Sequence, residues 1–279
     1  MVELYRTVRF CLDAGGHAPP RHNTFSAWPP IRGLGRYYEL HVTCHGRPDP
    51  DTGYLVNIKV IDHAVHDRAL PVLQEALRDD AGGAAVPMGR LMRQLFDALA
   101  PAMPHPLTCV QLQLTPMVYL EVRPMPATSA TPATPAPDTI VLAQQYEFSA
   151  AHRLHVPSLS DADNRATFGK CNNPAGHGHN YRVEVAIRLP VDAHGHLPAV
   201  EQLDALVDDA VIQKLDHKHL NVDVPAFATL NPSVEHIARV IHAWLADRVG
   251  ELGATLEHIR VWETGKTACT YRGTTPLAT

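Results

Sequence analysis

Apolar and polar side chains alternate along Ile140 to His152, and the run Tyr181-Arg-Val-Glu-Val-Ala-Ile187 alternates with a period of two. Alternate side chains of a strand share a face, so each run predicts a strand with one buried face. Between Val200 and Leu215 the spacing changes, and Leu203, Leu206, Val207, Ala210, Val211 and Leu215 recur at helical intervals. Pro232-Ser233 opens a second helix, with Ile237, Val240, Ile241, Trp244 and Leu245 on one face and an end near Gly250. Two short strands follow, Leu256 to Glu263 and Thr267 to Tyr271, while Asp192-Ala-His-Gly-His196 reads as a turn. The order strand, strand, helix, helix, strand, strand predicts an α+β unit, an antiparallel four-stranded sheet with two helices on one face. The first half repeats this order, with strands near 4–12 and 37–46, helices near 58–78 and 87–100, and strands over 108–122.

Residues 124–138 read Pro-Met-Pro-Ala-Thr-Ser-Ala-Thr-Pro-Ala-Thr-Pro-Ala-Pro-Asp, which cannot build a core and predicts an extended spacer. The expected domains are 1–123 and 140–279, joined by a linker at 124–139. Sliding one half over the other by 143 positions lays Thr24-Phe25 on Thr167-Phe168 and Gly33-Leu-Gly-Arg36 on Gly176-His-Gly-His179. The chain therefore reads as a tandem duplication. Its chemistry is not duplicated: Ala14, Trp28, Leu34, Arg36 and Leu114 stand where the second half has His152, Cys171, His177, His179 and Glu263. The other first-half histidines, His41 and His45 among them, read as surface or loop residues.

Composition narrows the function classes. With 19% charged residues and a net charge of −5, there is no basic field for nucleic acid or an anionic membrane. No run approaches the ~20 apolar residues that span a bilayer, and the start, Met1-Val-Glu-Leu-Tyr-Arg6, lacks the pattern of a secretory signal. The five cysteines contain no Cys-x-x-Cys pair and read as reduced thiols, so the expected location is cytoplasmic. Cys11, Cys44, Cys109 and Cys269 fall in apolar runs, where cysteine is a small core residue.

The candidate chemistry centres on Lys170-Cys171-Asn-Asn-Pro-Ala-Gly-His177-Gly-His179-Asn-Tyr181. His177 and His179 share one face at a strand mouth, Gly178 lets the backbone crowd close, and His152 ends the preceding strand. Three neutral imidazoles with the fourth position open form the ligand set of a catalytic zinc. Cys171 lies in a polar loop, where an inert core thiol would be out of place, and Lys170 and the ion can favour its thiolate. Asp216-His217 reads as an acid orienting a base, and equally as a cap suited to a helix C-terminus. Glu263 sits on an apolar strand, an awkward place for an unpaired carboxylate.

These runs closely resemble the 6-pyruvoyltetrahydropterin synthase family. The resemblance is carried by Phe148-Ser-Ala-Ala-His152-Arg-Leu, Phe168-Gly-Lys-Cys171 through Tyr181, Leu215-Asp-His-Lys-His-Leu-Asn221 and Trp262-Glu-Thr264, from about residue 140 to 275. It implies the tunnelling (T) fold, whose units assemble side by side into a β-barrel. It also implies homo-oligomers with active sites between subunits, here a trimer of two-domain chains or larger, with Glu263 open to completing a neighbour's site. Zinc would be held by His152, His177 and His179. Cys171 would abstract a side-chain proton from a pterin triphosphate, assisted by Asp216 and His217, while Glu263 anchors the pterin ring. Ser233 and Glu235 match a family Thr-Thr-Glu segment that contacts the ring; Val234 departs from it, and Ser233 fits a helix cap equally well.

The implied activity is a zinc-dependent lyase that converts 7,8-dihydroneopterin triphosphate to 6-pyruvoyltetrahydropterin with loss of triphosphate. An alternative is 6-carboxytetrahydropterin synthase of the queuosine pathway, which also releases acetaldehyde. The five residues between Cys171 and His177 favour the former. A non-catalytic pterin-binding or scaffold protein is the remaining alternative.

Overall fold

The chain falls into two units, Met1–Leu142 with Leu189–Pro198, and Ala143–Arg188 with Ala199–Thr279. The structure, a computed structural model, describes residues 1–12, 23, 36–123, 139–197 and 202–273.

In the first unit β1 (Val2–Leu12), β2 (Arg36–Gly46), β3 (Leu107–Thr115) and β4 (Val118–Val122) pair antiparallel in that order. Asn57 caps α1 (Ile58–Ala64) by accepting from Lys59 N; a wider π-type turn at Val65–Ala69 leads into α2 (Leu70–Ala81), and α3 (Met88–Leu99) follows. One sheet face, with Val8, Phe10, Leu40, Val42, Val110 and Leu112, is buried, as is the helical face with Leu73, Leu77, Leu91, Met92 and Leu95. This is the period-two and period-3.6 patterning expected of a sheet covered by helices.

The second unit has the same outline. Its sheet runs β5 (Thr139–His152), β6 (His177–Pro190), β8 (Thr255–Thr264), β9 (Thr267–Tyr271), and the pairs β6/β8 and β8/β9 are antiparallel. The two-residue β7 (Lys218–His219) adds to β5 in parallel. The helices are α4 (Asp161–Phe168), α5 (Gln202–Val207), α6 (Gln213–Leu215), α7 (Leu220–Asp223) and α8 (Val234–Glu251). Phe148, Tyr181, Val183, Val185, Ile259 and Val261 of the sheet are buried, together with Leu203, Val211, Ile237, Ile241 and Leu245 of the helices.

Several expectations change. Leu189–Pro198, placed in the second domain by sequence, groups with the first unit, where Gly195 O accepts Arg90 N at 3.0 Å. The helix expected over 200–215 is broken by a π-type turn at Asp208–Ile212, and its first two residues lie outside the described ones. So do the linker 124–138 and the repeat positions Ala14, Trp28 and Leu34. His41, expected at the surface, is buried on β2, where its ring bonds Thr7 Oγ1 at 2.9 Å. Cys44 and Cys109 are core residues as expected, whereas Cys11 and Cys269 are only half-buried. Among the described residues no helix is long and apolar enough to cross a membrane.

Candidate active site

β5 ends on His152 as β6 begins at His177, and this adjacency brings three imidazoles together. One ring nitrogen each from His152, His177 and His179 lies within 4.8 Å of the others. His152 is fully buried, and its Nδ1 is 2.8 Å from Pro232 O. A carbonyl only accepts, so the proton sits on Nδ1 and the Nε2 lone pair faces the cluster. That Nε2 is 3.1 Å from His177 Nε2, while His179 Nε2 is buried without a hydrogen-bond partner. Burial, reinforced by the His177, His179 and His219 rings against the opposing Pro232 carbonyl, pushes His152 down to about 4. Burial, then His179, lowers His177 as well, with Glu263 opposing. Neutral, converging imidazoles with an orphaned lone pair fit a borderline divalent cation such as zinc.

Glu263 belongs to the same cluster within this unit. Its Oε1 is 3.5 Å from His152 Nε2 and 3.8 Å from His179 Nε2. Beneath the cluster Tyr181 is fully buried, stacks on Phe148 and places its hydroxyl 3.3 Å from His152 Nδ1. Burial first, then the Glu263 and Cys171 charges, push the Tyr181 hydroxyl upward. The glycine that matters for crowding is Gly176 rather than Gly178. Gly176 has φ +73, and a Cβ there would stand 2.7 Å from His219 Nε2 and 3.0 Å from His152 O. At Gly178 the nearest atom, Ala150 O, is at an ordinary 3.6 Å.

Cys171 is half-buried on a 3-10 turn, Gly169–Asn172, with its carbonyl accepting Leu154 N at 2.9 Å. Sequence reasoning missed what holds this turn. Arg153 donates from Nε and Nη2 to Asn172 Oδ1 at 3.1 and 2.8 Å, and Asn221 brackets the Arg153 backbone at 2.8 and 3.0 Å. Both residues lie inside runs that carry the family resemblance, which was the available signal.

Asp216 and His217 follow directly on α6. Asp216 accepts Ser149 N and His217 Nδ1, each at 2.8 Å; these bonds, Ser149 first, lower its carboxyl below the ordinary value. The His217 ring is 84% exposed and lines an open cavity of about 520 Å³ with Ser149, Gly178, Asn180, Lys218, His219 and His179 of the histidine cluster. His217 is the one described non-glycine residue with positive φ, +56. A β-carbon is strained in that region, and such strain concentrates at functional sites.

Ser233 is the N-cap of α8, accepting His236 N, and bonds Glu235, whose carboxyl it lowers. Their helix starts directly after Pro232, the residue that holds His152.

Comparison with known proteins places the second half of the chain in a family. The profile of 6-pyruvoyl tetrahydropterin synthase matches residues 141–274. The 6-pyruvoyl tetrahydrobiopterin synthase of Drosophila melanogaster is 40% identical over 138 residues, 49% of this chain and 81% of the relative. That of Homo sapiens is 39% identical over 134 residues, 47% of this chain and 90% of the relative. The solved structure of the Caenorhabditis elegans 6-pyruvoyl tetrahydropterin synthase is 36% identical, covers 49% of this chain and 96% of its own, and has a TM-score of 0.46. Through its second half, this chain belongs to the 6-pyruvoyl tetrahydropterin synthase family.

Proposed function

We propose that the chain is a lyase of pterin metabolism, converting 7,8-dihydroneopterin triphosphate to 6-pyruvoyltetrahydropterin with elimination of triphosphate. The observation that carries this is the convergence of His152, His177, His179 and Glu263 at one strand mouth, in a chain 40% identical to a named synthase. The curated relatives bear the pyruvoyl name, which favours this product over the carboxy product with its loss of acetaldehyde.

The three histidines hold zinc. Bound there, zinc supplies a Lewis acid that polarises substrate oxygens and acidifies the neighbouring C–H bonds. Cys171 takes a proton from the substrate side chain, and the Arg153 clamp on Asn172 keeps its turn in place. Asp216 orients His217 through the Nδ1 bond, leaving Nε2 to carry a second proton. Glu263 offers a carboxylate to the two N–H donors along one edge of a pterin ring. Glu235 borders the ring from the start of α8, which Ser233 caps. The first unit serves as a fold without this site: Arg36, at the position of His179, pairs with Asp80 at 2.8 Å. Identical chains assemble into a ring, the β-barrel arrangement of the family.

Purified protein supplied with zinc and dihydroneopterin triphosphate is expected to release triphosphate without acetaldehyde. Absence of triphosphate overturns the reading, and acetaldehyde reassigns the product. Cys171→Ala is expected to lower kcat by about 10²-fold or more, the scale of a lost general base, with zinc content unchanged. Full turnover in that variant removes Cys171 from the role.

A further inference from the structure

The two sheets share one register. β2 meets β3 through Glu39↔Gln113 as β6 meets β8 through Arg182↔Trp262. Counted from those pairs, Arg36, Tyr38 and Leu114 hold the strand positions of His179, Tyr181 and Glu263. A cavity of about 230 Å³ lies there in the first unit, bounded by β2, β3, α2 and α3. Its wall is aliphatic: Leu73, Leu77, Leu91 and Leu112 are buried, and Met88 and Leu114 are half-buried. Tyr38 is the one ring among the described lining residues, so the wall suits a flexible chain better than a flat heterocycle. Two charges complete the lining. Arg36 Nη1 is 2.8 Å from Asp80 Oδ2, and with side chains 56% and 43% exposed the pair stands at the solvent side. Asp80, then the Tyr38 hydroxyl, holds the guanidinium in its charged form. An apolar cavity with a few convergent polar groups is the form of a small-molecule site.

We infer that the first unit binds a small carboxylate with an aliphatic tail, a medium-chain fatty acid in chemical class, in this cavity. The tail lies among Leu77, Leu91 and Leu112, and the carboxylate takes Arg36. A guanidinium carries several N–H donors in a planar fork, so it can hold a second acceptor. An exposed ion pair is also weak, and an incoming carboxylate competes with Asp80 for the fork. The volume is below the roughly 300–1,000 Å³ of drug-sized sites, which limits the tail to medium length. The second unit keeps ionisable groups at the matching strand ends. The first has leucine and a single cation there, a place for apolar surface and one negative charge. This inference is independent of the lyase reading, since no group of the histidine cluster takes part.

The test is isothermal titration of the full chain with octanoate, set against octanol as its uncharged counterpart. One saturable octanoate site per chain is expected, with octanol at least tenfold weaker. Arg36→Ala is expected to weaken octanoate at least fivefold while octanol stays within twofold. Asp80→Asn removes the competing carboxylate and is expected to tighten octanoate. Leu114→Trp fills the cavity and is expected to abolish binding of both. No saturable heat in the millimolar range overturns the site. Octanoate binding that survives both Arg36→Ala and Leu114→Trp lies elsewhere in the chain and overturns it too. Octanol as tight as octanoate, or unchanged octanoate affinity in Asp80→Asn, overturns the pairing of carboxylate with Arg36. Should Leu114→Trp fail to fold, the exposed Arg36→Ala and Asp80→Asn variants carry the test.

Discussion

The guanidinium of Arg153 is committed to one partner, the buried side chain of Asn172, one residue beyond Cys171. Two N–H bonds converging on one amide oxygen, with Nε also 3.3 Å from the Asn172 carbonyl, fix an orientation that an ammonium does not reproduce. Arg153→Lys is therefore expected to leave the thiol misplaced, and misplacement by about 1 Å can cost roughly 10²-fold. The loss should fall on kcat, with KM and zinc content near native; a native kcat in Arg153→Lys would sink the clamp. A second buried polar contact has a pH signature. Glu184 is 3% exposed and accepts Gln145 Nε2 at 2.8 Å and His258 Nε2 at 3.1 Å. Burial raises its carboxyl pKa, but the His258 and Gln145 bonds outweigh burial and hold the net value below the ordinary one. A depressed folded pKa gives stability that is present above the unfolded value, about 4.3, and is lost as pH falls through the folded value. Thermal melts should fall as pH drops below that range, and Glu184→Gln should fall less steeply. Equal slopes would remove Glu184 from the acid response.

At the scale of elements, α8 makes the clearest test. Ser233 caps it through His236 N, and loss of such a cap costs about 1 kcal/mol. Ser233→Ala is expected to lose about that much in urea unfolding while KM for the pterin stays put. A raised KM at native stability would instead make Ser233 a ring contact. This helix was legible because Ile237, Ile241 and Leu245 recur on its buried face, and the strands were legible from Tyr181, Val183 and Val185. α4 was not legible from hydrophobic period: Asp161–Phe168 buries only Asn164, a polar residue. Its readable signal was Ser160, which caps it, with Asp161 and Asp163 in the first turn. The π-type turns escaped because the flanking apolar positions keep nearly helical spacing. In the site, His177 and His179 were readable from their i, i+2 spacing. The Pro232 carbonyl behind His152 was not, since 80 residues separate the two and only the packed fold joins them.

At the scale of the whole molecule, the two halves of the proposed proton path come from different elements, the 3-10 turn Gly169–Asn172 and the end of α6. Cys171 is half-buried on its turn, whose neighbour Asn172 is held by Arg153. The 84% exposed His217 ring lines an open cavity with Ser149, Ala151, Asn180 and, from the histidine cluster, His179. Under the ring assembly proposed above, the exposed base of one chain meets the thiol of its neighbour. Cys171→Ala and His217→Ala chains, each nearly inactive alone, are therefore expected to regain a substantial share of activity when dissociated, mixed and reassembled. In the mixed oligomers some interfaces bring an intact Cys171 against an intact His217. Light scattering should report a mass of three chains or a multiple of three throughout. Mixed oligomers verified by differential tagging that stay as inactive as their parents would overturn the shared site, and a monomer mass would overturn the ring itself.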